Sequence, residues 1–168
     1  MNRAQFWSLI DRTRDEAGGD PEAHIEVLTA ELSRLTDEDA IEFDFIFSEY
    51  HARAYDWRLW AAAYIIGGGC SDDGFADFRG WLISKGEQTF EAVLADPDTL
   101  AEIVSEADGD CQVEGFQYIG FTAWEAITGE DADDFPGRAV SQPREPSGER
   151  WDEDDLDQLL PRLAARFS

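Results

Sequence analysis

Residues 59–86 read LWAAAYIIGGGCSDDGFADFRGWLISKG, and the fold class turns on how this stretch is read. Leu59 to Ile66 is an apolar run far too short to cross a bilayer. Its three adjacent alanines leave room for a neighbouring helix to come close, and Gly67-Gly68-Gly69 stops it. Ser71-Asp72-Asp73 then offers a hydroxyl and two carboxylates to the free N–H groups and positive dipole end of a new helix. Phe75, Phe78, Trp81, Leu82 and Ile83 follow at helical spacing, and that helix ends near Gly86. The stretch is a helix, a glycine stop and a second helix.

The same pattern extends outward. Phe6, Leu9, Ile10 and Thr13 form a first apolar stripe that ends at Gly18-Gly19. Asp20 as N-cap and Pro21 at the first helical position open a second helix, with Ile25, Leu28, Leu32 and Leu35 on one face. Thr36 with Asp39 resembles a capping box and opens a third helix, apolar on more than one side through Phe43, Phe45, Ile46, Phe47 and Tyr50. Short helices are expected over Thr89–Ala95 and Asp98–Glu106, and a longer one over Tyr118–Ile127. Residues 129–150 hold three of the six prolines and read as an extended loop. Trp151 onward is a last helix, bent or interrupted at Pro161. No alternation long enough for a sheet occurs. The expected fold is all-α: one compact, irregular helical bundle, with a core over 1–128 and a C-terminal helix over 151–168 packing back on it.

The chain has 168 residues, with 38 acidic and 13 basic side chains, a net charge of −25 and a pI near 4.1. Its 11 Phe, 6 Trp and 4 Tyr make a packed globule rather than a disordered acidic chain. Phosphate binding needs a cationic footprint, so no nucleic-acid partner is expected, and no anionic membrane. Asp11 interrupts any apolar run before a signal core forms. Cys70 and Cys111 lack metal-site spacing and read as reduced, half-buried thiols. The expected location is the cytoplasm. Twelve of the thirteen cations are arginines, Lys85 being the one lysine, a usage associated with GC-rich bacterial genomes.

The segment from Gly67 to Trp81 concentrates polar groups beside aromatic ones. Asp73 and Asp77 are four apart and share a helix face. Asp72, Asp73, Asp77, Arg79 and Trp81 are the candidate ligand-binding residues. The three aspartates could hold a divalent metal ion through oxygen ligands, with Arg79 taking an anionic substrate. The plain reading is that a glycine-ended helix is followed by a Ser-Asp-Asp cap. The glycines make no phosphate loop, since Phe75 stands where a lysine is needed. His24 and His51, the two imidazoles, lie in no ExxH or HExxH spacing and read as partly exposed structural residues. Cys70, beside a helix start, is either a thiol of lowered pKa or a small core residue. Asp108-Gly109-Asp110 with Glu114 lacks the remaining positions of a calcium loop.

Phe6–Ile10, Leu59–Gly86, Asp96–Ala101 and Arg150–Leu156 together resemble the bacterial domain family DUF4240. The resemblance implies a stand-alone helical domain and carries no established activity. The residues and the resemblance point first to a non-enzymatic module that binds a basic protein partner or a small ligand, without a cofactor. The acidic surface would steer a basic partner toward it. The alternative is a metal-assisted enzyme built on the GGGCSDDGFADFR carboxylates.

Overall fold

The structure, a computed structural model, describes residues 1–167. Among them are ten α-helices and no strand, with one isolated backbone bridge between Asp56 and Ser147. The chain is therefore all-α. Ser168, the last residue of the expected C-terminal helix, lies outside the described residues.

Helix α1 (Arg3–Glu16) buries Phe6, Leu9, Ile10 and Thr13 and packs on α2 (Pro21–Leu32), with the Phe6 ring 4.9 Å from that of Phe43. Asp20 caps α2 by accepting the Ala23 N–H at 2.8 Å. Leu35 does not continue the α2 stripe: it is 43% exposed, in the turn after Ser33. Thr36 must take extended dihedrals to accept the Asp39 N–H and cap α3 (Asp37–Arg53), so the chain leaves α2 before it. Helix α4 (Trp57–Gly67) starts on the Asp56 carboxylate and buries Ala61, Ala62 and Ala63 completely.

Helix α5 (Asp72–Ser84) lies at the centre. Phe75 and every residue from Phe78 to Ser84 are buried. A Cβ on Gly80 would lie 3.1 Å from the Phe116 Cβ, so glycine lets the Phe116–Tyr118 turn come close. Phe6, Phe43, Phe75, Phe78, Trp81, Phe90 and Phe116 fill the interior. Seven aromatic side chains of that size, each burying about 150–250 Å², supply a large share of the apolar burial that drives folding.

Helix α6 (Glu87–Ala95) brings Phe90 to this core. The helix expected over Asp98–Glu106 is broken: a turn at Pro97–Thr99 leads into α7 (Leu100–Ile103), and Val104 is extended. The Asp108 carboxylate takes both the N–H and the hydroxyl of Ser105, at 2.8 and 2.7 Å, and this competes with helix. Helix α8 (Ile119–Thr128) packs on α3, with Gly120 over Asp44. Ser147, in the segment that follows, donates to the Tyr55 carbonyl and accepts from the Trp57 N–H, both at 2.9 Å.

The C-terminal segment forms two pieces, α9 (Leu156–Leu159) and α10 (Pro161–Phe167), broken at Leu160 before the proline. Leu160 and Leu163 are fully buried, and α10 packs on α4 and on the 97–103 segment. Asp98 accepts the N–H groups of Arg162 and Leu163 at 3.1 and 2.9 Å, so a residue of the core caps the last helix.

Candidate functional site

Gly68 ends α4 in the left-handed conformation, at φ 64°. Ser71 caps α5, its hydroxyl accepting the Gly74 N–H at 3.1 Å. A Cβ on Gly67 or Gly74 would run into the amide of Gln112, whose Nε2 donates to the Gly69 carbonyl at 3.2 Å. The glycines of this segment thus make room for the chain at 109–114, which lies across them.

The five candidate side chains reach different surroundings. Asp72 and Asp73 are exposed in the first turn of α5. Asp77 accepts a 3.0 Å hydrogen bond from Gln117, and its pKa is raised by burial, with Glu114 and Asp73 adding to the effect. Arg79 is buried and crosses to α3, where Nη1 donates to the His51 carbonyl at 2.9 Å. Trp81 is fully buried, and its indole N–H donates to Asp108 at 2.9 Å, so its ring is out of reach of a surface ligand. Asp72, Asp73 and Asp77 do not converge. Among the described residues no three His, Cys, Asp or Glu side chains are placed to hold a metal ion.

Cys70 and Cys111 are free thiols. Burial, with Asp110, Asp77 and Asp72 nearby, pushes the Cys70 thiol up to about 12, so it is not the activated thiol its place beside a helix start suggested. His24 is 2% exposed, against the expectation of partial exposure; α1 and α2 close over it because Thr13 supplies a hydrogen bond inside the core. Lys85 also turns inward and pairs with Asp108. Burial disfavours the Asp108 carboxylate, but its bonds to Lys85, Ser105 and Trp81 outweigh that and hold its pKa low.

What remains at the surface is a cleft of about 830 Å³ between the start of α2 and the 107–114 segment. Asp20, Glu22, Glu26, Asp110 and Glu114 line it around Pro21, Ile25 and Val113. None of these five carboxylates is in an ion pair among the described residues, whereas Asp108 in the same wall is paired. Like charges held together without counterions create a field that a cation would relieve.

A family model described as Protein of unknown function (DUF4240) matches residues 1–126. The chain belongs to the DUF4240 family. The match takes in the Phe6–Ile10, Leu59–Gly86 and Asp96–Ala101 motifs but not Arg150–Leu156, which lies beyond it. No curated protein and no solved structure matches this chain. Within the DUF4240 region, the Gly67–Trp81 stretch is hydrogen-bonded to Gln112, Gln117 and Asp108. Those partners carry no local signal in sequence, because they arrive from loops more than 25 residues downstream. The one hint was the acidic Asp108–Glu114 run, which borders the cleft.

Proposed function

We propose that this DUF4240 protein is a binding module, and that its acidic cleft takes an arginine- or lysine-rich segment of a protein partner in the bacterial cytoplasm. The observation that carries this reading is the set of five unpaired carboxylates around the apolar floor of Pro21, Ile25 and Val113. A long basic side chain suits such a wall, its methylenes on the floor and its charged head among the carboxylates. The net charge of −25 steers cationic partners and repels nucleic acid and anionic membranes. No helix of the described residues is long and apolar enough to cross a membrane. Asp72, Asp73 and Asp77 extend the negative surface and, among the described residues, belong to no three-residue ligand set.

The test is fluorescence anisotropy with a labelled octa-arginine peptide at two ionic strengths. Glu22→Gln/Glu26→Gln/Glu114→Gln removes three charges from the cleft; Asp154→Asn/Asp155→Asn/Asp157→Asn removes three from an exposed face elsewhere. The cleft variant is expected to lose about tenfold in affinity and the control much less, with binding weakened by salt throughout. Equal losses in the two variants would mean bulk charge attraction and would overturn the proposal.

A further inference from the structure

Arg79 is 7% exposed, and no carboxylate of the described residues pairs with it. The other buried charges do have counterions: Asp108 has Lys85 and Asp98 has Arg162. A guanidinium taken out of water without a counterion is costly, and the cost is only partly offset here. Nε and Nη1 donate to the carbonyls of Phe75 and His51 at 3.3 and 2.9 Å. The rings of Tyr55 and Phe75 lie 4.7 and 5.0 Å from Cζ. That leaves both N–H bonds of Nη2, and one of Nη1, without an acceptor. No fully buried polar side-chain atom among the described residues lacks a partner, so Nη2 opens to the surface.

Arg79 lines a pocket of about 340 Å³, distinct from the acidic cleft, together with Phe47, Ser48, His51, Ala76, Gln117 and Gln142. In a chain with 38 acidic residues, this pocket has no carboxylate of the described residues in its lining. Ser48 and Gln142, also in its lining, carry a hydroxyl and an amide that can donate hydrogen bonds. His51 gives its Nε2–H to the Ala76 carbonyl at 2.8 Å, which fixes the ring against the pocket's edge. We infer that this pocket is a binding site for a small oxyanion, a carboxylate or phosphate group, held by the free edge of the Arg79 guanidinium. That edge matches two oxygens of either group, and the aromatic rings hold it in a single orientation. The site stands independently of the cleft and of what binds there.

The test is a titration of the ¹⁵N-labelled full chain with sodium phosphate and, separately, with sodium acetate, at constant ionic strength in chloride-free buffer. The readouts are the Arg79 Nε–H and the backbone amides of Ser48 and Ala76. Ala76→Leu fills the pocket and leaves the guanidinium in place; Arg138→Gln removes a surface cation elsewhere. Saturable shifts at these groups are expected, unchanged in Arg138→Gln and weakened about tenfold or more in Ala76→Leu. Binding of phosphate alone or acetate alone supports the site and names its ligand class. Arg79→Lys, which keeps the charge but loses the fork, is expected to weaken binding while circular dichroism stays native. If Arg79→Lys does not fold, Ala76→Leu alone decides. No saturation at tens of millimolar of either anion would overturn the inference. So would equal binding to wild type and Ala76→Leu.

Discussion

His24 lies with Nε2 2.9 Å from the Thr13 hydroxyl, which in turn donates a hydrogen bond to the Leu9 carbonyl at 2.7 Å. Burial first, and Arg14 second, lower its pKa to about 4. Between pH 6.5 and 4 the unfolded chain takes up a proton that the native chain refuses, so stability falls as pH falls through that window. The loss is on the order of 3 kcal/mol, the linkage value of the shift. His51 acts in the same direction, while Asp44, raised to about 6 by burial, opposes both. The difference between wild type and His24→Gln isolates the His24 share. Urea unfolding at pH 7.5 and 5.0 should show the wild type losing more stability on acidification than the variant. Parallel losses would place the titration elsewhere. At the same scale, thermal melts with Mg²⁺, Mn²⁺ or Ca²⁺ should shift alike in wild type, Asp72→Asn/Asp73→Asn and Glu153→Gln/Asp154→Asn, because Asp72 and Asp73 have no third ligand beside them among the described residues. Stabilisation by one ion, lost only in the Asp72/Asp73 variant, would contradict this. Residues such as Asp20, Ser71 and Thr36 were legible in sequence because a cap acts within three residues. The burial of His24 was not, since it depends on Thr13 arriving from another helix.

Helix α8 comes within contact of α3 only because Gly120 has no side chain: a Cβ there would lie 2.6 Å from the Asp44 Cβ and 3.0 Å from its Cα. Gly120→Ala must push two helices apart and is expected to cost about 1–3 kcal/mol, even though alanine favours helix. Gly74→Ala clashes with the movable amide end of Gln112 and meets the Ser71 hydroxyl only at an ordinary 3.4 Å, so it should cost less, releasing the bond to the Gly69 carbonyl. Chemical denaturation of the two variants checks the order, and a larger loss for Gly74→Ala would mean that the Gln112 contact matters more than helix spacing. Most elements were readable from their stripes and stops, Gly67–Gly69 above all. The break at Val104 was not, because Asp108 imposes it by taking both polar groups of Ser105. Leu35 likewise looked like the end of a stripe, and the cap of the next helix claimed its turn.

At the scale of the molecule, the family match ends at residue 126, yet Leu156, Leu160 and Leu163 beyond it are buried on α4 and the 97–103 segment. Asp98 joins the two parts through the Arg162 and Leu163 N–H groups and the Arg162 side chain. Asp98→Ala would leave those N–H groups unpaired, and a loss of about 1–3 kcal/mol is expected by denaturation. Little or no loss would mean that the C-terminal helix is held by its leucines alone. All-α architecture was legible in the whole chain, and so was its acidity. The cleft was not, because α2 and the 107–114 segment meet only in the folded molecule. Its five carboxylates are the central claim. The most direct measurement is to map, by ¹⁵N amide shifts, where an oligo-arginine peptide contacts the intact chain. The account predicts shifts concentrated at 20–26 and 109–114, with 152–157 scarcely moved. Shifts spread evenly over every acidic surface would contradict it.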